Sequence, residues 1–347
     1  MADRRWRGAL IGCGFFARNH MHGWTGIERA EIVAVCDRDQ AKARSMAEDF
    51  KVPAVYTDAA ELLDREQIDF VDVATTVPSH RPLVELAARR GKAIICQKPF
   101  AESMADAEAM VNAAEKAGVP LAVHENFRWQ RPFLEIGRRI AAGRIGKPTF
   151  ARFSFRHGYD NYRNQPYLAE IKRFTIMDVG LHLFDLARHL IGDVSTLSCR
   201  TQRLNPIVQG EDSFASMLGH DNGATSIVDC SFFSKIDPEP FPQTLAWIEG
   251  MEGTLELTAG YRLIAHRPGS ATTTDVEPAV PAWGAKPWHA IQDSVVNFER
   301  HFIDVLDGKS APMPSGAHNL KTLALALAAY EAAEQGAIID MKSWRET

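Results

Sequence analysis

A chain of 347 residues, at roughly 100–200 residues per domain, predicts two domains and can bury a core without disulfide or metal staples. Its apolar share of 46% and charged share of 24% are those of a globular protein. A net charge of −5 with no long basic run argues against a nucleic-acid partner, and the absence of a leader-like segment or an apolar run of about 18 residues predicts a cytoplasmic protein without a membrane span.

The first third alternates short apolar runs with helical segments. Ala9-Leu10-Ile11 closes a first strand and a helix follows over 15–24. Residues 32–36 form a second strand ending at Asp37, then a helix over 41–50. Strands over 71–74, 93–96 and 121–123 alternate with helices over 81–90 and 103–117, the latter opened by Ser103 as N-cap and closed by Gly118. Continuous apolar strands between helices mean a parallel sheet covered on both faces. Residues 1–125 are therefore predicted to be a doubly wound, dinucleotide-binding domain.

The pattern changes after Gly146-Lys147-Pro148. Residues 150–155 alternate like a strand with one wet face. A polar, aromatic loop covers 157–167, and a helix covers 177–191. Strand-like runs then follow one another at 196–201, 214–218, 225–232, 245–249, 253–258 and 262–266, which predicts a large, mostly antiparallel sheet. Residues 268–286, rich in Pro, Thr and Ala, read as a surface loop. Helices over 291–306 and 318–334 close an α+β domain spanning 126–347, with the C-terminal helix a candidate to pack back on the first domain. The five cysteines are scattered without a CxxC pair, so they read as reduced, buried thiols.

Gly12-Cys13-Gly14-Phe15-Phe16-Ala17 is a GxGxxA motif between a strand and a helix. Gly12 permits the tight turn, Gly14 lets a pyrophosphate approach the backbone, and Ala17 lets the helix pack close. The helix N-terminus then offers free N–H groups to the anion. Asp37 stands 25 positions after Gly12, where an acid accepts from the ribose hydroxyls and repels a 2′-phosphate, favouring NAD. Arg38 beside it leaves NADP open. Thr75-Thr76-Val77-Pro78-Ser79-His80 follows one strand, Gln97-Lys98-Pro99 the next, and Asp178-Val179-Gly180-Leu181-His182 opens the helix of the second domain.

Taken in order, these motifs resemble the glucose–fructose oxidoreductase, inositol dehydrogenase and MocA family over almost the whole chain. The resemblance implies that Lys98 sits beside the nicotinamide and the reacting hydroxyl, that His182 is the acid/base, and that Asp178 holds substrate. It places Thr75, Thr76, His80, Gln97 and Asn126 near the cofactor. It also implies a homodimer or homotetramer. Gln97 stands where the family usually has glutamate, which removes a charge beside Lys98. The residues agree with these roles: Lys98 ends a parallel strand, where open α/β sheets bind ligands, and Asp178 and His182, four apart, would share one helix face. No metal is expected.

Asn126 and Arg128, in the turn after the last strand of the first domain, are candidate substrate contacts. Arg156, Tyr159 and Arg163, in and beside the aromatic loop, are further candidates, because arginines and aromatic faces suit a polyhydroxylated ligand. The expected reaction is oxidation of a sugar hydroxyl, as in members that convert aldoses such as the branched pentose apiose to a lactone, or of a cyclic polyol. Two alternatives stay open: a glycoside-cleaving enzyme with retained NAD, and a non-catalytic nucleotide sensor.

Overall fold

The computed structural model describes residues 4–163 and 165–346; Asn164 of the aromatic loop lies outside them. The chain forms two compact units. One contains the residues up to Asn126 together with Val295–Leu323, and the other contains Phe127–Ser294 and the residues from Ala324 onward.

In the first unit, β1 (Trp6–Ile11), β2 (Ala30–Cys36), β3 (Ala54–Tyr56), β4 (Phe70–Val73), β5 (Ala93–Gln97) and β6 (Leu121–His124) make one sheet of order β3-β2-β1-β4-β5-β6. Every pair is parallel, and most of these strand residues are fully buried, as a sheet covered on both faces requires. The strands alternate with α1 (Ala17–Thr25), α2 (Gln40–Phe50), α3 (Ala59–Arg65), α4 (His80–Arg89) and α5 (Met104–Ala117). Ser103 caps α5 by accepting from Asp106 N at 3.2 Å, and Gly118 ends it in the left-handed region. The strand order reverses between β1 and β4, which places the ligand crevice of such a sheet at the carboxyl ends of these strands.

The second unit opens with α6 (Arg131–Ala141) and β7 (Pro148–Arg156), then α7 (Leu181–Leu190). After it come β8 (Val194–Gln202), β9 (Ser213–His220), β10 (Thr225–Ser231), β11 (Leu245–Gly250), β12 (Gly253–Thr258), β13 (Arg262–Arg267) and β14 (Ser270–Asp275). The final elements of the chain are α8 (His289–Leu306), α9 (Gly316–Gln335) and β15 (Ile339–Asp340). The sheet runs β14-β13-β12-β11-β7-β10-β9-β8-β15 and is antiparallel except for the β7–β10 pair. One face, carrying Ala151, Phe153 and Phe155, is buried, and α7 lies against β7 and β10. The opposite face carries Arg152, Met217 and Trp247 in the open.

Two expectations are corrected. Residues 268–286 are not all loop: β14 pairs with β13 as an edge strand. All its residues are exposed, so the run Ser-Ala-Thr-Thr-Thr-Asp lacks the alternation by which a half-buried strand is read. The helix expected over 177–191 begins as a π turn at Ile176–Gly180 and becomes α-helical at Leu181.

Candidate active site

The glycine loop follows β1. Gly12 has φ +99°, and a Cβ there would lie 2.5 Å from the Ala74 carbonyl oxygen, so only glycine fits. Gly14 is the opposite case: a Cβ there would meet nothing within 4 Å. The backbone at Gly14 thus faces an open cradle. Phe16, at the N-cap of α1, supplies no side-chain acceptor to the helix N–H groups, so they stay available to an anion. Ala17 is buried, while Phe15 projects with 60% of its surface exposed. Asp37 directly follows β2 beside this loop, and its carboxylate accepts from Cys13 N at 2.8 Å and Asp39 N at 2.9 Å. Arg38 is exposed. An open loop, an uncapped helix start and a fixed acid fit the pyrophosphate and ribose of NAD.

The segment after β4 is braced rather than free. Ser79 Oγ lies 2.9 Å from Thr75 Oγ1 and 2.7 Å from the Thr76 carbonyl oxygen. His80 is fully buried, with ring nitrogens 3.1 Å from the Thr75 carbonyl and 3.2 Å from the Phe100 carbonyl. Burial lowers its pKa. His80 therefore fastens the Thr75 turn to the segment after Pro99, and both ring nitrogens face backbone. Lys98 follows β5, half-buried, and its N–H donates to Gln97 Oε1 at 2.6 Å. Asn126 is buried at the end of this unit.

In the second unit, Asp178 stands in the π turn, a geometry frequent at functional sites. His182 lies in the first turn of α7, buried and stacked on Phe127 with ring centroids 3.8 Å apart and planes 3° from parallel. The α-helical spacing behind the expected shared face holds only from Leu181 onward. The turn is held by Glu211, which accepts from Phe174 N at 3.2 Å, Ile176 N at 3.0 Å and Tyr330 Oη at 2.8 Å. His157 is a further buried side chain, packed against Phe155, Phe232 and Phe241. Burial drives its pKa down to about 3, with Asp178 opposing, so it is neutral.

Two substrate candidates, Arg128 and Arg156, are engaged by carboxylates of the protein. Arg128 is buried and gives Nε and Nη2 to the two carboxylate oxygens of Asp185 at 2.7 and 2.5 Å. The Arg128 charge holds the Asp185 carboxyl below its usual range. Arg128 therefore anchors α7 through Nε and Nη2, while its buried Nη1 meets no partner among the described residues. Arg156 shares the open sheet face with Arg152, and both reach Asp229, at 3.3 and 2.8 Å. The two-residue period puts it opposite Phe155, away from the face that α7 covers. Tyr159 stacks on Phe241, with centroids 4.4 Å apart. Arg163 is exposed and donates its backbone N–H to Asp160 at 3.2 Å.

Glu211 and His157 were not singled out from the sequence. Glu211 stands in an acidic pair before a strand, and such pairs are usually surface residues. His157 was one of many polar residues in its loop, and only its burial distinguishes it. The five cysteines are free and buried. Burial raises all their pKa values, to about 12 for Cys13, Cys36 and Cys199, which argues against thiolate chemistry.

A parallel sheet of this order with an open glycine loop and an acid directly after β2 defines an NAD-binding oxidoreductase. Residues 6–125 match the family described as oxidoreductases with an NAD-binding Rossmann fold, and residues 133–256 match the GFO/IDH/MocA C-terminal domain. The chain belongs to the GFO/IDH/MocA family. It is 52% identical to a D-apiose dehydrogenase of Paraburkholderia graminis, over 98% of this chain and 91% of the relative. It is 50% identical to one of Rhizobium rhizogenes, over 96% of this chain and 97% of the relative. A crystal structure of an oxidoreductase from Agrobacterium radiobacter, in complex with NAD+, L-tartaric acid and magnesium, is 49% identical and superposes with a TM-score of 0.96, covering 98% of this chain and 99% of that one.

Proposed function

We propose that this protein oxidises D-apiose at C1, passing the hydride to NAD and the hydroxyl proton to the protein, and releases the lactone. The observation that carries this reading is the pair of D-apiose dehydrogenases at 52% and 50% identity over nearly the whole chain. The L-tartaric acid held by the Agrobacterium radiobacter relative, a short polyhydroxylated molecule, supports a substrate of that size. NAD, when bound, supplies the hydride acceptor. Gly12, Gly14 and the α1 N-terminus would hold its pyrophosphate, and Asp37 would receive the ribose hydroxyls, which favours NAD over NADP. His182 takes the proton of the reacting hydroxyl, a task suited to an imidazole. The Lys98 ammonium stabilises the alkoxide that develops as the proton leaves. Asp178 and Asn126 orient the sugar by accepting and donating at its other hydroxyls, and Tyr159 offers a ring face to the sugar C–H surface.

The open face of the second sheet gives a reading of assembly. Trp247 pairs with Arg152, Arg152 with Ile227, Ile227 with Met217, and Met217 with Ser198. Met217 and Trp247 are 53% and 38% exposed. This row, with Trp247, Ile227 and Met217 beside Arg152 on an uncovered sheet, fits a second copy of the chain in a homodimer or homotetramer. Among the described residues no helix is long and apolar enough to cross a membrane, and a cytoplasmic location suits the free, buried thiols.

The test is turnover of NAD and of NADP against a panel of aldoses, ketoses and cyclitols, followed by absorbance of the reduced cofactor. D-apiose is expected to be the best substrate with NAD. Lys98→Ala and His182→Ala are expected to lower kcat by roughly a hundredfold or more while leaving NAD affinity near the parent value. A panel silent toward every sugar, with NAD demonstrably bound, would overturn this reading and favour cofactor-retaining glycoside cleavage.

A further inference from the structure

The first unit buries a cluster of titratable groups behind the Lys98 turn. His20 on α1, Asp72 on β4 and Glu299 on α8 are each fully buried, with ligand-type atoms within 4.8 Å of one another. Such a trio suggests a metal, but the hydrogen bonds leave no nitrogen for one. Lys98 N–H can only donate, so the Gln97 atom 2.6 Å away is the amide oxygen. The other end of that amide is then the donor, and it faces His20 Nε2 at 3.0 Å. Nε2 must therefore be the bare acceptor, and the ring proton sits on Nδ1, 2.8 Å from Asp72 Oδ2. The same oxygen accepts Trp24 Nε1–H at 2.8 Å. Both ring nitrogens are thus committed, and His20 is neutral.

Among the described residues, neither oxygen of Glu299 has a hydrogen-bond partner. Burial, with the Asp72 charge beside it, pushes its carboxyl well above the usual range, so it keeps its proton. It fits because α1 carries Gly23 at this point: a Cβ there would lie 2.0 Å from Glu299 Oε2. From β6, His124 stacks on His20 with centroids 4.1 Å apart, and burial above all, with the Lys98 charge, holds it neutral. The cluster therefore contains one negative charge, on Asp72.

We propose that Asp72, His20 and Gln97 form a positioning relay that fixes the backbone entering Lys98, and that it works in this chain because residue 97 is a neutral amide. A carboxylate at 97 would still accept Lys98 N–H, but it would turn a second lone pair on the bare His20 Nε2. One proton between that carboxylate and the ring resolves the contact, and Asp72 Oδ2, 2.8 Å from Nδ1, favours its place on the ring, leaving an imidazolium between two carboxylates. Gln97→Glu is thus expected to bind one extra proton, on His20. That proton is lost as pH rises through the raised imidazolium pKa, and the Lys98 turn loosens with it. The consequence for turnover rests on the proposed role of Lys98.

The first arm of the test is independent of that role. Ring nitrogen NMR of 15N-histidine-labelled protein at neutral pH, with His20 assigned through its proximity to the Trp24 indole N–H, is expected to show a neutral ring protonated on Nδ1. In Gln97→Glu the same ring is expected to be doubly protonated at the acid end and to titrate. A parent ring protonated on Nε2 overturns the relay without any variant. A Gln97→Glu ring identical to the parent's also overturns it.

The second arm is kinetic. Relative to the parent at the same pH, the kcat of Gln97→Glu is expected to fall by a further tenfold to hundredfold between the acid and the alkaline end. The added limb is expected to vanish in the His20→Ala/Gln97→Glu double variant. A titrating ring with a parent-like kcat profile would show that the network does not position Lys98, and overturns the proposal. Full activity in Lys98→Ala would instead sink the assigned role of the lysine and leave the first arm standing.

Discussion

The two units solve the problem of buried polar groups by different means. In the second unit each buried charge meets its partner directly: Asp185 receives two bonds from Arg128, and Glu211 receives two backbone N–H groups and the Tyr330 hydroxyl. In the first unit protons do the same work. In the cluster around His20, that ring is held neutral by its neighbours, Glu299 retains its acid proton, and Asp72 is left with the one charge of the three. Partnered charges resist changes of pH but fail when a partner is deleted. Protonated groups tolerate isosteric neutral replacements but make the fold sensitive to pH.

The largest expected effect follows from deleting a partner. Arg128→Leu leaves the Asp185 carboxylate buried and unpaired, a change that costs about 3–5 kcal/mol. Urea unfolding at neutral pH should show it, and Asp185→Asn in the same background should recover part of the loss. If Arg128 instead binds substrate, the variant will keep its urea midpoint and lose affinity for the sugar.

A smaller effect is expected at Glu211. Glu211→Gln keeps one acceptor oxygen and turns an NH2 on a backbone N–H that had been bonded. Leaving one such donor unsatisfied costs about 1–3 kcal/mol, and it falls on the π turn that carries Asp178. The expected signature is a lower kcat with unchanged NAD affinity, because the glycine loop belongs to the other unit. Equal losses in kcat and NAD binding would argue against a local effect on that turn.

Legibility in the sequence follows the same divide. The first unit could be read almost element by element, because fully buried parallel strands are continuous apolar runs and the glycine loop carries its own signature. Lys98, Asp178 and His182 could be named because their motifs come in order. What stayed hidden depends on tertiary contacts. The Arg128–Asp185 pair joins residues 57 apart, and an arginine in an active-site turn looks the same in sequence whether it meets a sugar or a carboxylate. The His20–Asp72–Glu299 cluster joins three segments, one of them near the end of the chain, and no local pattern links them. The strand β14 was missed because an exposed edge has no buried side to reveal its period.

The smallest effect at one pH, and the one that separates the two units most cleanly, is at Glu299. Its folded carboxyl holds its proton well above the pH at which the unfolded chain releases it, near 4.5. A folded pKa raised in this way means that the stability from the neutral acid is complete below the unfolded pKa and is lost as pH rises toward the folded one. Between those limits the folded state binds one more proton than the unfolded state, so stability falls by about 1.4 kcal/mol per pH unit. Glu299→Gln has the shape of the neutral acid and no proton to lose. Urea midpoints at about pH 5 and pH 6 should therefore diverge, with the variant gaining about 1 kcal/mol on its parent over that step. Parallel midpoints would mean that Glu299 ionises in the folded protein, and the single-charge cluster around Asp72 would have to be redrawn.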